Sequence, residues 1–501
     1  MKNRMILQSF EWYLSNDGTF WKRVEGAAPS FSSIGFTSVW LPPAFKGAGG
    51  INDVGYGVYD LYDLGEFDQK GTIRTKYGTK DEYLRAVKAV EDNGVRVLAD
   101  IVFNQKMGAD ETEEVQAVED AGNNRNEQIS GDKTITAWTK FTFPGRKGRY
   151  DPFIWDHTCF DGTDWDEKGH RNSIYRFDGK NWDCDVSTEN GNYDYLMGCD
   201  LDFQEPKVVE ELKKWGRWYL DLTGADGVRL DALKHIHFTF FEEWLKDMRA
   251  YTGRDLSAIG EYWNPDVNAL THYLDVNHNC LSLFDVALHF RFYNASNSGG
   301  YFDMRTLYDS TLVQVREDNA ITFVDNHDTE PQQALQSFIP AWFKPIAYAL
   351  ILESAHGIPC VFYGDLFGIR QENIAPVKDL ARLMAARTLA AYGSETDYFD
   401  HEDVVGFTRS GSTENPDSGL AVLVSDGPGG CRHMMVNEAM KGKQFINILD
   451  ENLSVCINED GSGDFSVDGG SAAVYVEAHM LDEIKKMAAA FEQGTQPYFP
   501  W

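Results

Sequence analysis

Short apolar runs alternate with longer stretches of helical spacing through the first four-fifths of the chain, the pattern of βα units around a parallel sheet. Eight strands are predicted: "RMILQSF" (4–10), "TSVWLPP" (37–43), "VRVLADIVF" (95–103), "GVRLDAL" (227–233), "SAIGEYW" (257–263), "LSLFDVAL" (281–288), "AITFVDN" (320–326) and "IPCVFYGD" (358–365). Helical patterns such as "KDEYLRAVKAVEDNG" (80–94) and "PKVVEELKKWGRWYLDLTG" (206–224) separate them and end on glycine, which tolerates the left-handed turn after a helix. Eight such units predict an α/β fold, a (β/α)8 TIM barrel.

Two stretches break the alternation. Residues 104–205 lie between the third and fourth strands, rich in Asp, Asn, Gly and aromatics, and are too long for a loop. After about residue 395, runs such as "VVGFTRSG", "GLAVLVSDG" and "SAAVYVE" alternate with Gly, Asp and Asn turns, the mark of antiparallel strands. The expected organisation is a barrel over 1–104 and 206–395, an inserted cation-binding subdomain over 105–205, a C-terminal antiparallel β-sandwich over 396–478 and a helical tail over 479–501. The tail ends in "TQPYFPW", whose rings are expected to pack on their own chain.

Charge narrows the partners. Lysine and arginine total 46 against 78 acidic residues, and a net charge of −32 repels nucleic acid and anionic membranes alike. The most apolar stretch, "PIAYALILESAHGIPCVFYG", is interrupted by Glu353 and His356, so no membrane span is expected. "MKNRMILQSFEWY" carries no apolar signal core, and seven cysteines show neither a C-x-x-C pair nor zinc spacing. A cytoplasmic monomer with reduced thiols is the expectation.

Barrel enzymes carry their chemistry at the C-terminal ends of the strands. There the chain offers Asp100 and Asn104, then Arg229 and Asp231, then Glu261, then Asp325, His327 and Asp328. Asp231, Glu261 and Asp328 come from three strands and would converge over one mouth. Opposed carboxylates suit glycoside hydrolysis, one ionised and one delivering a proton to the leaving oxygen. Arg229 shares a strand face with Asp231 and would hold it ionised. Trp12, Tyr13, Tyr56, Tyr59, Tyr262 and Trp263 fall near these ends, flat surfaces for the apolar faces of sugars. The insert supplies oxygen ligands at Asp161, Asp183, Asp185, Asp194, Asp200 and Asp202, with Asn104 at its root, a set for calcium over zinc. A competing reading is a zinc pair at His235 and His237. The run continues into the helical "FTFFEEWLKDMRAY", where a spacing of two does not put both rings on one face.

"ADIVFN", "GVRLDALKHI", "GEYW" and "FVDNHD", in this order on strands three, four, five and seven, resemble the four signature regions of the α-amylases of glycoside hydrolase family 13. "DVGYGVYDLYDLGEF", "GNYDYLM", "VFYGD" and "SDGPGG" extend the resemblance to the liquefying bacterial type, over essentially the whole chain to about residue 477. It implies a retaining endo-hydrolase of α-1,4-glucans such as starch, glycogen or maltodextrins. Asp231 would be the nucleophile, Glu261 the general acid/base, and Asp328 the residue that holds sugar hydroxyls in the transition state. Arg229 and His327 would bind and orient at the cleavage subsite, Tyr56 would stack there, and Lys234, His235 and Trp263 would contact the leaving-group side, with Trp12 and Tyr13 beside the cleft. A structural calcium would take Asn104, Asp194, Asp200 and the carbonyl of His235. A second cation, calcium or sodium, would take Asp161, Asp183 and Asp202, and a third Asp403 and Asp426. Two positions depart from the family: Gln105 stands where it usually has histidine, and Gln204 where the liquefying type tends to have an acid. Altered sugar binding and a weaker second cation site are the expected results. A transglycosylase of the same family and a glucan-binding protein with impaired catalysis are the alternatives.

Overall fold

The computed structural model describes residues 3–415 and 417–501; Met1, Lys2 and Pro416, which fall in the spans expected for the barrel and the C-terminal domain, lie outside the described residues. Eight parallel strands close into a barrel: β1 (Ile6–Gln8), β2 (Ser38–Leu41), β3 (Arg96–Ile101), β4 (Gly227–Leu230), β5 (Ser257–Gly260), β6 (Ser282–Phe284), β7 (Ala320–Phe323) and β8 (Ile358–Phe362). Each pairs with the next, and β8 closes on β1. The register puts Arg229 of β4 directly opposite Asp100 of β3 and Ile259 of β5.

Each strand stops short of the apolar run that announces it. After Leu230 the chain leaves the barrel wall: the Asp231 amide donates to the Ile101 carbonyl at 3.0 Å, and Ala232 turns to a φ of 53°. Gly260 ends β5 against this turn, where a Cβ would lie 2.1 Å from the Leu233 side chain. Only glycine lets the turn close that near. The outer helices obey their end signals. The helix Lys80–Asp92 begins with a reciprocal Thr79–Glu82 cap, and Pro206–Thr223 starts on proline and stops at Gly224 with φ 75°.

The segment after β3 builds a seven-stranded antiparallel sheet. Its edge pair, Gln105–Lys106 with Cys199–Leu201, ties the two ends of the segment together beside the barrel mouth. Beyond the barrel, six antiparallel strands between Glu395 and Glu477 form one sheet, and Gly429–Met435 pairs with Ser462–Asp468 in a ribbon against it. The helix Leu481–Thr495 returns to the barrel's outer layer. Phe491 there meets Phe36 and Phe367, and Phe499 lies among Phe31, Tyr363 and Phe367. Among the described residues, no helix is long and apolar enough to cross a membrane.

Candidate active site

Arg229 is the hub of the barrel mouth. It is 1% exposed; its Nη1 donates to Asp100 Oδ1 at 3.1 Å and to Asp231 Oδ1, and its Nη2 lies 3.8 Å from Glu261 Oε2. The guanidinium also lies over Trp40 and Tyr56, 4.8 and 5.9 Å from their ring centres. Asp100 is held from its other side by Trp40 Nε1 and Tyr56 OH, each 2.9 Å from Oδ2. Removing such a charge from water costs several kcal/mol unless partners replace the lost hydration, and Arg229 does so for three acids at once.

These surroundings separate the acids. Burial raises the Asp231 carboxyl, with Arg229 opposing through charge and a direct hydrogen bond. Glu261 has no such close donor from the guanidinium; burial pushes it up to about 8, Arg229 opposing and the charges of Asp231 and Asp328 adding to the rise. Burial likewise carries Asp328 to about 7. Two carboxyls whose environments differ in this way are suited to opposite roles, an ionised one and a protonated one.

His327 is kept neutral by burial and by the Arg229 charge. Gln8 Nε2 donates to its Nδ1 at 3.0 Å, which leaves the Nε2 hydrogen for Asp328 Oδ2 at 3.3 Å. Trp12, Tyr56 and His327 lie nearly parallel, with ring centres 5.1 to 6.1 Å apart. Tyr13 is fixed beside them, its hydroxyl donating to the Pro331 carbonyl at 2.6 Å. Beyond this wall an open groove runs along Trp12, Tyr13, Asn52, Lys76 and Gln371.

Comparison with known proteins gives the family. The family described as "Alpha amylase, catalytic domain" matches residues 30–412. An α-amylase of Geobacillus stearothermophilus is 54% identical over 95% of this chain and 87% of its own. The chain belongs to the α-amylase family. It is an endo-acting α-amylase, a glycoside hydrolase. A cytoplasmic α-amylase of Escherichia coli (strain K12) is 40% identical over 95% of this chain and 99% of its own. The fold is shared with a solved Anoxybacillus α-amylase, at a TM-score of 0.63 and 18% identity, over 95% of this chain and 98% of the other.

Other residues named from the sequence lie in or near the amylase mouth. Gln105 is buried next to Tyr56, its Nε2 donating to the Tyr56 carbonyl at 2.9 Å and its Oε1 left without a partner. Lys234 pairs with Glu189 at 3.0 Å, and His235 Nδ1 meets the Tyr193 carbonyl at 2.7 Å, so both hold the 187–194 segment against the turn after β4. Trp263 is packed among His289, Phe290 and Phe323 and is only 8% exposed, more wall than open platform. Tyr59 turns away to Asp110, and Asp325 is bound to Lys344 at 2.8 Å, outside the acid cluster. Gln8, Trp40 and Glu189 support the site without a local motif; their partners are brought to them only by the closed barrel and the insert.

A second cluster lies where the insert meets the barrel. Asp161, Asp194 and Asp200 bring carboxylate oxygens within 4.8 Å of one another, all three side chains buried. Burial and mutual repulsion raise each well above the usual aspartate range. Asp161 Oδ2, Asp200 Oδ2, Asp183 Oδ2 and Asn104 Oδ1 are buried without a hydrogen-bond partner. Buried oxygens lacking donors fit a hard cation. The set expected for a second cation is more nearly satisfied from within: Lys180 takes the Asp202 carboxylate, and Gln204 Nε2 donates to Asp183 Oδ1 at 2.7 Å. Asp161 Oδ2 and Asp183 Oδ2 of the same set still lack a partner. Asp426 also carries two buried carboxylate oxygens without partners, and burial, with the charge of the nearby Asp403 adding to it, raises it to about 6.

Proposed function

We propose that Asp231, Glu261 and Asp328 divide the endo-hydrolysis of internal α-1,4-glucosidic bonds in starch, glycogen or maltodextrins between them. The observation that carries this reading is the shared guanidinium: Arg229 bonds directly to Asp231 and only approaches Glu261. Asp231, whose ionised form that bond favours against burial, attacks the anomeric carbon. Glu261, kept protonated by its buried position, gives its proton to the leaving oxygen, then takes one from the water that opens the glycosyl-enzyme ester. Asp328 and the neutral His327 grip sugar hydroxyls, and the Trp12–Tyr56 wall receives the ring's apolar face. Gln105 Oε1 accepts a sugar hydroxyl at the same subsite, but as an amide it carries no charge there.

Calcium fits the Asp161, Asp194 and Asp200 cluster with Asn104, where it would neutralise the gathered carboxylates and fasten the insert to the barrel. Asp403 and Asp426 form a further candidate position. The free cysteines, all seven unpaired, and the likeness to a cytoplasmic relative support action inside the cell. Interception of the ester by a sugar hydroxyl would give transfer instead of hydrolysis; no contact in the site favours that outcome.

Asp231→Asn and Glu261→Gln are each expected to lower turnover on soluble starch by several orders of magnitude, with the α-anomer released first by the unaltered chain. Near-normal turnover in either variant, or longer oligosaccharides accumulating from maltoheptaose, overturns the assignment.

A further inference from the structure

The two histidines after β4 face different partners, and one of them meets a cysteine that the hydrolytic reading does not use. Cys184, Asp185 and His237 each bring one ligand atom to a common point, all within 4.8 Å of one another. We propose that these three residues form a binding site for a soft divalent cation of the zinc class, distinct from the oxygen-lined cluster and outside the hydrolytic reaction.

Backbone pairing fixes the ligands before any ion arrives. The Phe238 amide donates to the Asp185 carbonyl at 2.9 Å, and the Ser187 amide to the Lys234 carbonyl at 2.9 Å. These two bonds lay residues 184–187 alongside 234–238, so Cys184 and Asp185 are presented across from His237. The imidazole is oriented as a ligand needs to be. Its Nδ1 lies 3.2 Å from Thr239 Oγ1, and its Nε2 points to Asp185 Oδ2 at 3.6 Å. That separation is too long for a good hydrogen bond. It matches two ligand atoms around a tetrahedral ion, which bonds of about 2.0 to 2.3 Å hold roughly 3.3 to 3.7 Å apart. With Nε2 turned to the ion, the Nδ1 hydrogen can be donated to the Thr239 hydroxyl, an outer partner that holds the ring in place as such partners hold ligating histidines.

The donor set selects the metal. Sulfur and imidazole nitrogen with one carboxylate oxygen favour zinc over calcium or magnesium. Cys184 and Asp185 are exposed and the His237 side chain is 28% exposed, so an ion has an open path and water completes the fourth position. On binding, the thiol releases its proton to solvent as the sulfur–metal bond forms. The ion would join the 184–187 segment to the turn that carries Lys234 and His235, stiffening one flank of the cleft.

Cobalt(II) titrated into the calcium-loaded full chain under reducing conditions reads the site directly, since only a thiolate ligand gives an intense sulfur-to-cobalt charge-transfer band. The band is expected to saturate at one equivalent, to disappear on adding zinc, to be lost in Cys184→Ser and to need at least ten-fold more cobalt in His237→Ala. A double Cys431→Ser, Cys456→Ser variant, lacking the other exposed thiols, is expected to keep it. No band in the unaltered chain, a band that survives Cys184→Ser, or one indifferent to His237→Ala overturns the proposal. Starch turnover plays no part in the readout, so the hydrolytic assignment stands or falls separately.

Discussion

Ala232 holds a φ of 53°, a left-handed backbone that costs a non-glycine residue about 1 to 2 kcal/mol. The turn aims its amide at Glu261 Oε2, 2.9 Å away, one residue after the acid that Arg229 holds. The same carboxyl makes the site sensitive to pH through stability as well as chemistry. Glu261 titrates near 8 in the folded chain against an ordinary value of 4.5, chiefly through burial. Below about 4.5 both folded and unfolded chains hold the proton, and the burial carries no penalty. As pH rises to about 8 the unfolded chain releases the proton while the folded chain retains it, so stability falls across that window. Glu261→Gln keeps an oxygen to accept from Ala232 and removes the titration. Its melting temperature relative to the unaltered chain is therefore expected to be higher near pH 8 than near pH 4.5, measured by calorimetry. An offset that does not change between the two pH values contradicts this account.

At the scale of elements, all eight barrel strands are legible in the chain because each is a short apolar run between helical patterns, but their ends are not. "GVRLDAL" reads on through Asp231 with the alternation of a strand, whereas β4 stops at Leu230. The residues just past each strand serve the mouth, and their polar and apolar positions are set by ligand and neighbours instead of by sheet pairing. The three acids stood out for the same reason, as charges at the ends of apolar runs. Asp100 stood out in the same way, but its contact with Arg229 spans 129 positions, and no local spacing reveals it. The insert's long antiparallel strands, such as Glu111–Ala121, were hidden by their exposed polar faces. The tail lay between, its helix evident and its partner not. Phe499 is 4% exposed within an aromatic cluster on the barrel's outer helices. Phe499→Ala is expected to destabilise the chain by about 3 to 5 kcal/mol. Denaturant unfolding should show the lower midpoint while KM for starch is unchanged; a raised KM with an unchanged midpoint would instead place the tail on glucan.

For the molecule as a whole, the excess of 78 acidic over 46 basic residues is spread unevenly. Much of what matters is concentrated where the insert joins the barrel. The short pairing of Gln105–Lys106 with Cys199–Leu201 draws the two ends of the insert together there; Asp200 lies within it, and Asn104 lies next to it, its carbonyl accepting from the Leu201 amide at 3.1 Å. Asn104 Nδ2 reaches Asp200 Oδ1 at 3.4 Å, a weak bond for a junction that carries three mutually repelling carboxylates. Without a cation the repulsion acts within the insert, between the strands that carry Asp161 and Asp200 and the 187–194 segment that carries Asp194, and that segment is tied to the mouth through Lys234 and His235. Metal removal is therefore expected to act on stability and on the cleft together. Chelation should lower the melting temperature and quicken proteolysis within residues 105–205, and excess calcium should reverse both. Asp200→Asn, which removes one repelling charge and one cation ligand, should narrow the gap between chelated and calcium-loaded melts. A melt indifferent to chelator, or an Asp200→Asn variant with the full calcium response, would mean that the junction is held by its protein contacts alone.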